Sequence, residues 1–140
     1  QALALADAVR PEVGVCLDAF HLNIEEEDMF QTIRDIGDRL FDFHVADNNR
    51  FAAGLGHIDW PRVISTLKEI GYDGAVTNEF VAPVDRTPAA PYPDMVDTNP
   101  VDISPEQLKF IQDHGSSVLT EEFYARQMKI TAETILPLIK

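Results

Sequence analysis

The 140-residue sequence predicts an α/β protein with a parallel sheet. Between residues 1 and 80, segments with helical spacing of apolar residues alternate with three short apolar runs that favour strands. The three runs end at Asp18, His44 and Glu79, which lie 26 and 35 positions apart. Because each interval is about the length of one strand–helix unit, this order predicts consecutive strand–helix–strand units.

The first helix and strand occupy the first 17 residues. Residues 1–10 have the pattern of the end of a helix, and Pro11 is expected to stop it. Residues 13–17 form a nearly continuous apolar run, which is typical of a strand buried on both faces of a parallel sheet. Cys16, the single cysteine, lies in this run, and we expect it to be a small buried residue.

A second helix and strand follow between residues 23 and 45. Asn23 has the character of an N-cap, with Glu26 in the position of a capping box. Gly37 is expected to end this helix, and residues 41–45 form the second strand. The helix is expected to bury Met29, Ile33 and Ile36.

The third unit begins with a loop at residues 54–57 that contains two glycines. Asp59 is the predicted N-cap of the next helix, and Pro61 suits its first turn. Gly71 is expected to close the helix, and residues 74–80 form the third strand. The predicted buried positions of the helix are Val63, Ile64, Leu67 and Ile70.

After residue 80 the pattern breaks. Residues 81–103 are predicted to form a proline-rich insertion loop, of a length that often carries function. Ser104 begins a predicted helix that runs to about His114, and Thr120 is expected to cap a last helix. We therefore expect one domain fragment over residues 1–140, with C-terminal helices at 104–140. The apolar positions of the last helix are Phe123, Met128, Ile130, Ile135 and Leu136.

Charge and composition exclude several classes of partner. Eleven basic and 24 acidic residues give a formal net charge of −13, which repels phosphate backbones and anionic membranes. No apolar run approaches the ~20 residues of a membrane helix, and residues 1–7 lack the basic start of a signal peptide. We therefore expect a cytoplasmic protein with no nucleic-acid or membrane partner. The absence of an initiator methionine suggests a fragment.

The polar residues at the strand ends are the candidate functional group. Carboxyl ends of parallel strands meet at one edge, so Asp18, His44 and Glu79 are expected to converge. His21 lies close behind Asp18, and two carboxylates with one or two imidazoles suit Mn²⁺, Co²⁺, Zn²⁺ or Mg²⁺ better than copper. Taken singly, Asp18 also suits a helix cap and His44 a hydrogen-bonded core residue. Glu79 is harder to explain as core, because a buried carboxylate needs a partner.

Several motifs resemble the xylose-isomerase-like barrel superfamily, and within it the D-tagatose/D-psicose 3-epimerases and hydroxypyruvate isomerases. They are Leu-Asp-Ala-Phe-His at residues 17–21, His-Val-Ala-Asp-Asn-Asn-Arg at 44–50, Gly-Leu-Gly-His-Ile-Asp-Trp at 54–60, Gly-Tyr-Asp-Gly at 71–74 and Glu-Phe at 79–80. The family's loop has Pro-Gly-x-Gly where this chain has Ala-Gly-Leu-Gly at 53–56, a small departure. The resemblance implies the C-terminal portion of a (β/α)8 TIM barrel, about three βα units.

The resemblance also implies roles for five residues. Asp18 and His44 are similar to metal ligands, and Glu79 to a ligand that also exchanges a proton with the substrate. His21 and Arg50 are similar to groups that hold sugar oxygens. In that family a further ligand, also a catalytic glutamate, lies on the preceding strand, so the 140-residue chain alone is expected to be inactive.

The implied function is a metal-dependent ketose epimerase or isomerase that acts through a metal-stabilised enediolate. We expect Mn²⁺ as the first choice of cofactor, with Co²⁺, Mg²⁺ or Zn²⁺ as alternatives, a small-molecule sugar as the substrate and a homo-oligomer as the assembly, for which the insertion could provide the contact. The insertion after residue 80 also resembles the large catalytic subunit of bacterial C-glycoside deglycosidases, which act on 3-keto C-glycosides with a small β-sandwich subunit.

Two further alternatives differ in class. Endonuclease IV shares the fold and uses three zinc ions, but the net charge of −13 and only four histidines argue against it. A non-catalytic barrel that binds a polyol is the other alternative. The presence of Asp18, His44 and Glu79 together favours an enzyme.

Overall fold

The computed structural model describes residues 1–10, 12–80 and 121–140. Of the described residues, 1–10, 12–80 and 126–140 belong to one compact unit. A short 3-10 turn, Gly37–Arg39, precedes the second strand. The elements in chain order are α1 (Ala2–Val9), β1 (Val15–Asp18), α2 (Ala19–Glu25), α3 (Met29–Ile36), β2 (Leu40–Val45), α4 (Trp60–Glu69), β3 (Ala75–Asn78) and α5 (Glu121–Ile139).

The three strands form one parallel sheet in the order β1-β2-β3. Asp18 pairs with His44 across the first two strands, and Val45 pairs with Asn78 across the second and third. The parallel α/β arrangement predicted from the sequence is therefore confirmed. Because all three strands run the same way, their carboxyl ends lie along one edge of the sheet.

Helices cover one face of this sheet. Leu17, Phe43 and Val45 belong to one apolar cluster with helix residues such as Ile33 and Val63, and all five are buried. Full burial of a side chain of this size stabilises a fold by about 1.5–3 kcal/mol. This packing holds the strands in place, and through them the side chains of the other face.

The other face is polar, and one prediction about it is wrong. Cys16 is exposed, not buried. Val15 and Leu17 point to the helix-covered face, so the alternation of a strand turns Cys16 away from it. Strand β1 is accordingly buried on one face within the described part of the chain. The half-buried residues that share the polar face are Asp42, His44 and Thr77.

The predicted helix start at Asn23 is also wrong. Helix α2 begins directly after β1, where the Asp18 carboxylate accepts a hydrogen bond from the amide of Phe20 at 2.8 Å. Asn23 lies inside α2. Helix α3 is capped instead by Asp28, which accepts from the amides two and three positions on. Two aspartates therefore provide the caps in place of the capping box at Asn23.

Helix α4 begins and ends as predicted. Asp59 accepts from the amide of Arg62 at 3.1 Å and caps the helix, and Pro61 lies in its first turn. Gly37 ends α3, also as predicted. The predicted buried residues of α4 are confirmed for Val63, Ile64 and Leu67, and Ile70 is partly buried.

Helix α5 packs through Ile135, one of its expected apolar positions, and through polar residues. Met128 and Leu136 are 53% and 56% exposed. The amide oxygen of Gln127 accepts a hydrogen bond from the backbone of Ala52 at 2.7 Å. Polar side chains therefore dock this helix, which apolar spacing cannot reveal. Its buried residues are Gln127, Thr131 and Ile135.

Some predictions lie outside the described residues: the stop at Pro11, the insertion loop at 81–103, the helix from Ser104 to about His114 and the cap at Thr120. Within the described ranges, no helix is both long and apolar enough to span a membrane.

Candidate metal centre

The sheet brings the three predicted ligands to one place. Asp18 is the last residue of β1 and pairs with His44 of β2. Glu79 follows β3 directly, and its amide donates to the carbonyl of Val45 at 3.0 Å. One ligand atom from each of Asp18, His44 and Glu79 lies within 4.8 Å of the other two. A single cation can therefore contact all three.

His44 joins this group through its Nδ1 atom. Nδ1 is hydrogen-bonded to the Glu79 carboxylate. That hydrogen bond, with a further one to Asp42, raises the pKa of His44 above its usual value, although partial burial opposes the shift. The same bond from His44 lowers the pKa of Glu79. The Glu79 carboxylate is therefore ionised at neutral pH, the form that a ligand or a proton acceptor needs.

Asp18 serves as a helix cap and as a site residue at once. Its Oδ1 atom caps α2, while Oδ2 accepts from the Arg50 guanidinium at 3.1 Å. His21, one turn along α2, places Nε2 4.0 Å from the same oxygen. The hydrogen bond to Phe20 fixes the Asp18 carboxylate, and its Oδ2 atom faces Arg50 and His21.

Arg50 is held in an unusual backbone conformation. Its φ is 64°, in the left-handed region, which costs a non-glycine residue on the order of 1–3 kcal/mol. Its guanidinium lies 4.4 Å from the centre of the Phe20 ring, and Phe20 also meets the ring of His21 edge-on. These contacts place both predicted substrate-binding residues beside Asp18. All five predicted site residues therefore lie at the carboxyl end of the sheet.

Asp42 is a neighbour of the site that the sequence reading missed. Its Oδ2 atom lies 3.0 Å from Nε2 of His44, and its Oδ1 accepts from the Thr77 hydroxyl at 2.8 Å. Asp42 precedes His44 by two positions in a strand, so both share a face. The two-residue spacing of Asp42 and His44 in a predicted strand could therefore have identified Asp42 from the sequence. Within the described residues, Cys16, Asp42 and His44 form a second group with ligand atoms within 4.8 Å.

Asp47, also missed, organises the loop after β2. This buried carboxylate accepts hydrogen bonds from the Trp60 indole at 2.9 Å and from the amides of Asn48, Gly54 and Ile58 at 2.9, 2.9 and 3.2 Å. Burial alone would raise the pKa of Asp47, but these donors lower it below its usual value. The loop that carries Arg50 is thus folded around an ionised side chain.

Comparison with known proteins yields a family and several relatives. The model of the xylose isomerase-like TIM barrel family matches residues 1–114. A ketose 3-epimerase of Arthrobacter globiformis is 42% identical over 80 residues, 56% of this chain and 28% of the relative. A 3-dehydro-D-guloside 4-epimerase of Escherichia coli K12 is 35% identical over 82 residues, 54% of this chain and 31% of the relative. The chain spans less than a third of the length of these curated relatives.

A solved structure agrees with the fold. The D-psicose 3-epimerase of Clostridium cellulolyticum H10, crystallised with D-tagatose, superposes with a TM-score of 0.63 and 25% sequence identity. The match covers 91% of this chain and 38% of that chain. The three strands and their helices therefore correspond to part of a (β/α)8 barrel, as predicted.

Proposed function

Because the chain belongs to the xylose isomerase-like TIM barrel family, we propose that its protein epimerises a ketose at the carbon beside the carbonyl. The observation that carries the proposal is the convergence of Asp18, His44 and Glu79 within 4.8 Å at the carboxyl end of the sheet. In TIM barrels this end holds the active site. The ketose 3-epimerase among the relatives supports the substrate class.

The donor set suits a hard or borderline divalent cation. Two carboxylates and one imidazole nitrogen fit Mn²⁺, and also Co²⁺, Mg²⁺ or Zn²⁺. We propose Mn²⁺, held by Asp18, His44 and Glu79. A cation bound there acts as a Lewis acid that stabilises negative charge developing on the substrate oxygens.

Glu79 is the proposed proton acceptor. Its ionised carboxylate is 40% exposed and lies at the edge that a substrate would approach. It would take the proton from the carbon next to the carbonyl, and a second acid on the opposite face would return one, which inverts that carbon. The backbone hydrogen bond to Val45 fixes the position of the residue, and its carboxylate, although hydrogen-bonded to His44, is exposed enough to reach a substrate.

Arg50 and His21 are the proposed binding residues for sugar hydroxyls. Arg50 donates one N–H to Asp18, and a guanidinium carries five, so within the described residues N–H groups remain for a substrate. The side chain of His21 is 59% exposed and lies next to the same carboxylate. Both can donate to oxygens of a sugar held against the three ligands.

Isotope exchange tests the proposed function. The protein expressed from the complete reading frame that encodes this chain would be loaded with Mn²⁺ and incubated with ketoses in D₂O. The products would be identified by proton NMR. We expect deuterium at C3 together with the C3 epimer. Glu79→Gln should lower the rate by at least about 100-fold, whereas Glu12→Gln, at the other end of the sheet, should leave it unchanged.

Metal content measured on the same samples separates lost proton transfer from lost cation. Absence of exchange with every ketose, in protein shown to hold metal, would refute the epimerase proposal. Deuterium at C1 with formation of an aldose would indicate an aldose–ketose isomerase at the same site.

A second substrate class has support from one relative, the 3-dehydro-D-guloside 4-epimerase. A 3-keto glycoside also has a carbonyl beside a carbon that bears a hydroxyl and a proton, so the same three ligands and the same Glu79 would serve. Deuterium at C4 of such a glycoside, with no exchange into free ketoses, would favour this class. Cleavage of a 3-keto C-glycoside would instead indicate a deglycosidase.

A further inference from the structure

Asp42 occupies a place that the proposed function leaves unexplained. It lies on the polar face of the sheet, beside the metal centre and outside its ligand set. Of its two carboxylate oxygens, Oδ2 contacts Nε2 of His44 at 3.0 Å and Oδ1 accepts from the Thr77 hydroxyl at 2.8 Å. A carboxylate bonded at both oxygens, to two different strands, has little freedom to rotate.

The two nitrogens of His44 face different partners. Nδ1 faces Glu79, and Nε2 faces Asp42. A neutral imidazole has one N–H donor and one lone pair, and only the lone pair can bind a cation. For a cation shared with Asp18 and Glu79 the lone pair must be on Nδ1, so the proton must be on Nε2. An ionised carboxylate only accepts hydrogen bonds, so Asp42 favours a proton on Nε2. A cation bound at Nδ1 would replace the Nδ1 proton that Glu79 accepts without a cation.

We propose that Asp42, anchored by Thr77, is a positioning residue that keeps the proton of His44 on Nε2 and aims Nδ1 at the metal centre. The inference rests on the proposed metal site. A carboxylate behind a ligating histidine fixes its ring orientation and raises its basicity, and loss of such a partner weakens metal binding by about 10- to 100-fold.

The strands supply this arrangement without any loop. Asp42 and His44 alternate on β2, and Thr77 lies beside His44 in the register of β2 and β3. The three groups therefore keep their spacing as long as the sheet is intact. This makes the arrangement more rigid than a partner on a loop would be.

Two measurements test the proposal in the complete protein. In metal-free protein labelled with ¹⁵N-histidine, we expect a downfield Nε2–H signal from His44, assigned by its loss in His44→Gln. The signal should disappear in Asp42→Ala. In a Mn²⁺ titration, Asp42→Ala should lower the affinity by about 10- to 100-fold, and Asp42→Asn, which keeps an acceptor oxygen, by less.

The controls separate positioning from loss of charge or fold. Asp38→Ala removes an exposed acid at the opposite end of β2 and should leave both readings unchanged. Thr77→Val should weaken Mn²⁺ binding, and Thr77→Ser, which restores the hydroxyl, should rescue it. Equal urea midpoints for Asp42→Ala and Asp38→Ala show that the sheet is intact, and Asp42→Asn provides a second variant if Asp42→Ala unfolds.

The proposal is overturned if the Nε2–H signal is absent from the wild type, or survives in Asp42→Ala. It is also overturned if Asp42→Ala binds Mn²⁺ as well as Asp38→Ala does, or if Co²⁺ shows a thiolate charge-transfer band, which would place the cation between Cys16, Asp42 and Nε2. If the wild type binds no Mn²⁺, the proposed metal centre itself is refuted. The Nε2–H signal of His44 in metal-free protein still tests whether Asp42 holds that proton.

Discussion

Single residues at the edge of this sheet carry more than one role. Asp18 caps α2 with one oxygen and faces Arg50 with the other. The sequence reading located Asp18, His44 and Glu79 because polar residues that end apolar strands are conspicuous. It missed Asp42, whose position between two phenylalanines hides the face it shares with His44. It also missed Asp47, because the four donors that bind it come from residues up to 13 positions away along the chain.

At this scale we predict that Asp47 stabilises the fold in a pH-dependent manner. Asp47→Asn removes a charge that accepts four hydrogen bonds, and should lower the free energy of unfolding at pH 7 by about 1.5–3 kcal/mol. The folded pKa of Asp47 lies below its unfolded value. Its contribution is therefore complete above about pH 4 and is lost as the pH falls through the folded pKa.

Urea unfolding at several pH values measures this effect. The difference between wild type and Asp47→Asn should shrink as the pH is lowered from 6 to about 3. Asp59→Asn is the matched control, because asparagine caps a helix as well as aspartate does. A difference that is independent of pH would show that Asp47 acts through packing alone.

At the scale of elements, the strands were predictable and the helix contacts less so. Apolar runs located all three strands, and Asp59 with Pro61 located the start of α4. The start of α2 was misplaced because Asp18 is both the last residue of β1 and the cap of α2, so no loop residues separate the strand from the helix. The apolar pattern of α5 includes the buried Ile135 but gives no sign of Gln127 and Thr131, which are buried and held by hydrogen bonds.

Gly54 connects the loop after β2 with α5, and its replacement tests that contact. Its φ is 98°, and an added Cβ would lie 2.5 Å from Oγ1 of Thr134. Gly37 has a φ of 55° with no atom within 4 Å of such a Cβ. Gly37→Ala should therefore cost about 1–2 kcal/mol for the backbone alone, and Gly54→Ala about 1–3 kcal/mol more for the clash.

A double-mutant cycle isolates the clash. Thr134→Ala removes the crowded hydroxyl, so it should recover most of the extra cost in Gly54→Ala and none in Gly37→Ala. Thermal or urea unfolding of the six proteins (wild type, three single variants and two double variants) gives the values. If Thr134→Ala has the same effect in both glycine variants, the loop and α5 do not meet at Gly54.

At the scale of the molecule, the described sheet has one face packed by helices and one face lined with polar groups. A (β/α)8 barrel closes such a face inside eight strands, whereas this sheet has three. The resemblance to a barrel family anticipated this arrangement. The insertion at residues 81–103 and the division of the chain into domains stay predictions.

We predict that the 140-residue chain alone does not turn over a ketose. Inversion needs two acids on opposite faces of the substrate, and the proposed role of Glu79 provides one of them. A turnover assay of the isolated chain with Mn²⁺, run beside the complete protein at equal concentration, measures this. Clear epimerisation by the isolated chain would contradict the two-acid account.

The central claim is that Asp18, His44 and Glu79 hold a divalent cation, and Mn²⁺ binding to the complete protein tests it most directly. Electron paramagnetic resonance would count free Mn²⁺ during titration of the wild type, His44→Ala and His57→Ala, the last an exposed histidine of the loop after β2. The account predicts one tight Mn²⁺ in the wild type and in His57→Ala. In His44→Ala it predicts that the Mn²⁺ affinity falls by more than the about 100-fold caused by losing a residue, such as Asp42, that only hydrogen-bonds to a ligand. Equal binding by all three proteins would contradict it.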